Sequence, residues 1–128
     1  MKILGIGVDL VENKRIKLLL SNKKFLKRIF TKNEIKFSKK IKNKVNYFAK
    51  RYAAKEAFSK SVGTGIRLDL DFKKIEILND KMNKPYYSNS RLIKNIIYKR
   101  FKIKRYNLLL SISDEKDYSI AFAILQKI

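Results

Sequence analysis

The chain has 128 residues, a formal charge of +21 and 45% hydrophobic residues, with no cysteine and no histidine. This length suits one domain with a modest core. The missing residue types exclude disulfides, thiolate and imidazole metal sites, thiol nucleophiles and Ser-His-Asp triads. Chemistry is left to carboxylates, lysine, arginine, hydroxyls, backbone amides and an oxygen-seeking divalent cation.

Ile3 to Leu10 alternates as a strand, and Gly5 and Gly7 within it predict close backbone approach or twist. Val11, Ile16, Leu19 and Leu20 have helical spacing over 11–20. Phe25 to Phe30 reads as a short apolar-basic turn, and Thr31 with Glu34 as a capping box opening a helix to about Ile41. A long helix runs from Lys44 to Val62 and stops at Gly63. Phe72 to Leu78 reads as a strand. Asn83 stands at a left-handed turn position, and Pro85 opens a short edge segment. Ser90 to Phe101 is helical, and two strands, Tyr106–Ser113 and Tyr118–Leu125, flank an acidic hairpin turn. The class is α+β, with a long helix on a small antiparallel sheet and residues 1–128 as a single domain. No apolar run reaches the ~18–20 residues of a membrane span. The N-terminus carries Asp9 and Glu12 and lacks a small-residue cleavage site, so a cytoplasmic protein is expected.

The long helix poses a problem. Val45, Phe48, Ala49 and Tyr52 form an apolar stripe, yet Glu56 falls in its middle and Lys60 one turn beyond. A carboxylate there costs several kcal/mol unless it is paired or binds a cation. The spacing allows an ordinary i,i+4 ion pair. It equally allows Glu56 as a metal ligand with Lys60 holding an anion. Asp9 stands where the first strand ends, as a helix cap or a second ligand. The SVGTG loop at 61–65 offers free amides to a phosphate or simply ends the helix.

GIGVDLVENKRI at 5–16, FTKNEI at 30–35, RYAAKEAFSKSVGTGI at 51–66, NKPY at 83–86 and LSIS at 110–113 together resemble holo-[acyl-carrier-protein] synthases, the short bacterial 4′-phosphopantetheinyl transferases. The order and spacing match over nearly the whole chain. The resemblance implies the phosphopantetheinyl transferase fold and transfer of 4′-phosphopantetheine from coenzyme A to a serine of acyl carrier protein, in fatty-acid synthesis. It implies that Asp9 and Glu56 hold Mg²⁺ (or Mn²⁺) against the pyrophosphate and that Lys60 steadies the departing phosphate. Arg51, Lys60, Gly63, Thr64 and Gly65 would hold coenzyme A. For the proton of the serine, water is preferred over Glu34, which already caps a helix. The family's histidine after the S-x-S strand is Asp114 here, which should repel a pyrophosphate unless it faces away or joins the metal shell, with Lys116 able to supply the lost positive charge.

The resemblance also implies docking of an acidic carrier protein on Arg15, Leu19, Lys24 and Arg28. It further implies a homotrimer with active sites between subunits, its threefold contact made by apolar sheet residues such as those of 106–113. Two rivals stand beside this reading. One is a small basic nucleic-acid-binding module, suggested by the charge and by Tyr47, Tyr86, Tyr87, Tyr98 and Tyr106 among basic residues. The other is a coenzyme A-binding homologue of weakened activity.

Overall fold

The computed structural model describes residues 1–63 and 72–128. Strand β1 (Lys2–Glu12) leads into helices α1 (Asn13–Leu20), α2 (Lys23–Ile29), α3 (Lys32–Ser38) and the long α4 (Lys44–Val62). A 3₁₀ turn at Phe72–Lys74 and the strands β2 (Ile77–Asn79) and β3 (Pro85–Tyr87) follow. Helix α5 (Arg91–Phe101) and the hairpin of β4 (Tyr106–Asp114) and β5 (Tyr118–Lys127) complete the chain. The main sheet has the order β1-β5-β4, antiparallel throughout, and β2 pairs with β3 in a separate ribbon.

One face of the main sheet packs on α4. The approach is close because β1 carries no side chain at two points. A Cβ on Gly5 would lie 1.8 Å from the Ser61 carbonyl oxygen, and one on Gly7 would lie 1.9 Å from that of Ala57. Gly7→Ala therefore forces strand and helix apart and is expected to cost about 3 kcal/mol, read as a fall of about 10 °C in melting temperature. An unchanged melting temperature would contradict this packing.

Helix α4 is covered on nearly all sides. Ala49, Ala53, Ala54 and Ala57 are fully buried, and Phe48, Phe58 and Val62 join the same core. The stripe read from the sequence was too narrow, because the sheet, α1, α3 and β2 all pack against this helix. Its ends agree with the sequence: Asn43 caps the start, and Gly63 closes it in the left-handed region at φ 82°.

Three elements differ from expectation. Val11 belongs to β1, paired with Ser119, and the helix starts at Asn13. The buried Asn13 amide donates to the carbonyls of Glu115 and Lys116 and accepts from the Ser119 hydroxyl, so the hairpin holds the chain extended there. Residues 23–29 form a helix rather than a turn. Asn22 caps it by accepting from the Lys24 and Phe25 amides, while Phe25 and Ile29 are buried one turn apart. The predicted strand over 72–78 begins only at Ile77. The carbonyls of Phe72 and Ile75 are bound by the Lys55 ammonium at 3.0 and 2.8 Å, which curls the chain into a turn.

The other sheet face is open and apolar. Ile6, Val8 and Leu10 of β1, Ile120 and Phe122 of β5 and Leu109 of β4 are all exposed, Leu10 to 62% and Phe122 to 40%. The apolar residues span all three strands rather than centring on β4.

Candidate active site

The contact of β1 with α4 brings Asp9 beside Glu56. Lys60 reaches across from α4, and its ammonium donates to Asp9 Oδ1 at 3.2 Å and to the Val8 carbonyl at 2.9 Å. The i,i+4 pair between Glu56 and Lys60 does not close; among the described residues Lys60 pairs with Asp9.

Both carboxyls are held above the usual carboxylate range. Burial is the main cause for each, and for Glu56 the charge of Asp9 adds to it. The Tyr52 hydroxyl, which hydrogen-bonds to Glu56, works against the shift, as do the charges of Lys60 and Arg15. Two acids that repel each other at the rim of a core are poised for a cation. The donors are all oxygen, and no group of three acids gathers among the described residues. A metal held by Asp9 and Glu56 would thus draw its other ligands from water and substrate, as Mg²⁺ does at phosphates.

Arg51 points elsewhere. Its guanidinium lies 3.9 Å from the Tyr47 ring centroid and donates to Asn79 Oδ1, while its Nε is buried with no hydrogen-bond partner among the described residues. It borders a cavity of about 190 Å³ with Asn46, Lys50, Asn79, Asn83 and Asp114. This cavity lies by β4, whereas Asp9 stands on β1 across β5. Asp114 accepts from the Asn46 amide at 2.9 Å and faces Lys50 at 3.9 Å. It thus engages α4 through the neutral Asn46 amide and the single ammonium of Lys50, and among the described residues it pairs with neither Lys60 nor Arg15 beside the Asp9–Glu56 pair.

The Gly63 amide is committed to helix capping, donating to the Ser59 and Lys60 carbonyls at 3.1 Å. Thr64 and Gly65 lie outside the described residues. Of the residues expected to dock a carrier protein, Arg15, Lys24 and Arg28 are exposed, but Leu19 is half-buried against the core. The apolar residue presented there is Leu18, 72% exposed. Arg15 also acts on the site itself, since its charge opposes the upward shifts of Asp9, Glu56 and Tyr52.

Sequence reasoning missed Lys55. It is fully buried, with its ammonium 2.7 Å from Glu34 Oε1. Glu34 Oε1 also accepts from the Thr31 amide at 2.9 Å, and Oε2 from the Ile77 amide at 3.1 Å. The sequence did hold one sign, a lysine set among Ala53, Ala54 and Ala57, where no exposed face is left for it.

Residues 5–123 match the family model of the 4′-phosphopantetheinyl transferase superfamily. The chain belongs to this superfamily. It is 58% identical over 127 residues to the holo-[acyl-carrier-protein] synthase of Pelagibacter ubique, covering 99% of each chain. It is 40% identical to that of Buchnera aphidicola, covering 99% of this chain and 100% of the relative. Among solved structures, the holo-[acyl-carrier-protein] synthase of Neisseria meningitidis superposes with a TM-score of 0.86 at 38% identity, over 98% of this chain and 99% of that one. The Bacillus anthracis synthase, solved in complex with CoA (3′,5′-ADP), gives 0.82 at 36% identity over 100% of both chains. The α+β architecture is therefore the phosphopantetheinyl transferase fold.

Proposed function

We propose that the chain transfers the 4′-phosphopantetheine arm of coenzyme A to a serine of an apo acyl carrier protein in fatty-acid synthesis, with residues 1–128 as one transferase domain. The observation that carries this is the convergence of Asp9, Glu56 and Lys60 where β1 meets α4. The serine oxygen attacks the phosphorus bearing the pantetheine arm. The bond to the bridging oxygen breaks, and adenosine 3′,5′-bisphosphate leaves. Asp9 and Glu56 would hold Mg²⁺, or Mn²⁺, which when bound offsets charge on the pyrophosphate.

The Lys60 side chain is half-exposed and, among the described residues, is tethered to Asp9 and the Val8 carbonyl, so its ammonium can turn to a phosphate oxygen. Arg15 adds positive charge on the α1 side, where the carrier would arrive with Lys24 and Arg28 as further contacts. Leu18, more than Leu19, supplies the apolar contact. Water takes the serine proton, because Glu34 is sealed beneath α3 by three donors. Arg51 and its asparagine-lined cavity would hold the nucleotide.

That cavity touches the main sheet at Asp114 of the edge strand β4, whereas Asp9 stands on the other edge strand, β1. Neighbouring copies joined through the open apolar face would bring the edges of different chains together. A homotrimer with its sites between subunits is the assembly proposed, and a monomer mass in sedimentation would rule it out. The cytoplasm, where coenzyme A and carrier protein meet, is the proposed compartment.

Incubation with apo carrier protein, coenzyme A and Mg²⁺ should add the mass of one phosphopantetheine arm to the carrier. Lys60→Ala should slow this by about a hundredfold with little change in melting temperature. No mass gain, joined with salt-sensitive RNA binding, would favour the nucleic-acid reading.

A further inference from the structure

One groove lies away from the Asp9–Glu56 pair and its chemistry. It has a volume of about 740 Å³ and runs between α2, α3 and the 3₁₀ turn. Thr31 and Ile35 line it half-buried, above the fully buried Phe30. Lys32, Lys36 and Lys39 of α3 and its C-cap, Lys27 of α2 and Lys73 of the 3₁₀ turn also line it, and among the described residues no acidic side chain does. Positions 32, 35, 36 and 39 follow the i, i+3, i+4, i+7 pattern, so α3 and its cap present one stripe of lysines around an isoleucine.

The geometry points to this groove as a docking site for an acidic amphipathic helix of the acyl carrier protein, separate from the segment that bears the serine. Ile35 and the lysine stems, ringed by five ammonium groups, are complementary to a helix with an apolar ridge and acidic flanks. Continuity supports the same partner. Lys27 and Lys73 also line a neighbouring cavity of about 360 Å³ with Lys24 and Arg28, two residues of the docking face. One partner can therefore lie across both. Nucleic acid fits less well, because the groove's one aromatic residue, Phe30, is fully buried and offers no stacking platform. A membrane surface fits less well because the apolar residues are recessed, whereas interfacial binding needs them to protrude.

The inference rests on the carrier-protein reading above, and its test separates the two. Lys32→Glu, Lys36→Glu and Lys39→Glu are introduced together. A control carries Lys94→Glu, Lys99→Glu and Lys104→Glu, the same charge change on exposed positions around α5. Apo carrier protein is titrated against each, by direct binding and by steady-state kinetics. The groove variant should raise Kd and KM for the carrier by about tenfold or more. Its KM for coenzyme A and its kcat at saturating carrier should stay within about twofold of the parent.

An equal rise in the control would mean a diffuse field effect and would overturn the groove. So would an unchanged Kd, or a loss confined to single-stranded RNA or to vesicles of anionic phospholipid. If the glutamates unfold α3, seen by circular dichroism, the same positions as glutamine decide the matter by the same criteria. A parent protein that modifies no carrier defeats the functional reading instead, and carrier binding without turnover would leave the groove to be judged by Kd alone.

Discussion

Glu56→Gln is expected to lower turnover by about a thousandfold or more, while the protein stays folded and is no less stable than its parent. The first half follows from the loss of a formal charge facing the cation. A metal at a developing phosphate charge supplies several kcal/mol, and each ~1.4 kcal/mol is tenfold in rate. The second half follows from the upward shift of the Glu56 carboxyl, caused by burial and then by Asp9. The folded state holds that proton more tightly than the unfolded chain does. The associated stability is therefore full at acid pH and declines as pH rises through the folded value. At neutral pH the ionised side chain is a cost to folding, and glutamine removes it.

The readouts separate a functional acid from a structural one. Millimolar Mg²⁺ should raise the melting temperature of the parent, by preferential binding to the folded state, and leave that of the variant unmoved. Parental turnover in the variant, or an equal Mg²⁺ response, would mean that Glu56 does not face the cation. A large loss of stability would mean that its charge serves the core.

Such a cost to folding explains how much of the site could be read in advance. Glu56 stood out because its position on α4 contradicts the polarity of its neighbours, and that conflict is visible in one helix. Local devices were legible for the same reason. The Thr31–Glu34 capping box and the Gly63 cap are each closed within a few residues, and all form as expected. Gly5 and Gly7 announced a close approach, although the sequence did not say that α4 was the neighbour.

What escaped depends on partners distant in the chain. Val11 has helical spacing but is held in a strand by Ser119. The FKKIEIL segment has strand composition, yet two of its carbonyls are claimed by a lysine about 20 residues earlier. Lys60 could be placed one turn from Glu56, but its contact with Asp9 exists only once β1 lies on α4. Leu18 and Leu19 are equivalent by composition. The packing of α1 decides which one the surface keeps.

The second large effect concerns stability. Glu34→Gln should cost about 3–5 kcal/mol, because it leaves the Lys55 ammonium in the core without its counter-charge. Lys55 and Glu34 are both sealed from solvent, 2.7 Å apart, and burial already pushes the Lys55 ammonium below its ordinary range. Two carbonyls remain to accept from it, but they carry no net charge. Against a total of about 5–15 kcal/mol for a domain, the loss is severe, equivalent to roughly 10–20 °C in melting temperature. Lys55→Met should cost a comparable amount, since it strands the carboxylate. The double variant Glu34→Gln, Lys55→Met should be more stable than the sum of the two losses predicts, and a double-mutant cycle reads the coupling directly.

The same variant settles whether Glu34 takes the serine proton. Its oxygens accept from the Thr31 amide, the Lys55 ammonium and the Ile77 amide, so it ties α3, α4 and β2 together and is buried away from any substrate. Turnover per folded molecule, measured well below the variant's melting temperature, should then stay within about tenfold of the parent, whereas loss of a true general base costs about 10²–10⁴. A loss of that size in a fully folded variant would return Glu34 to the chemistry and require α3 to open during the reaction.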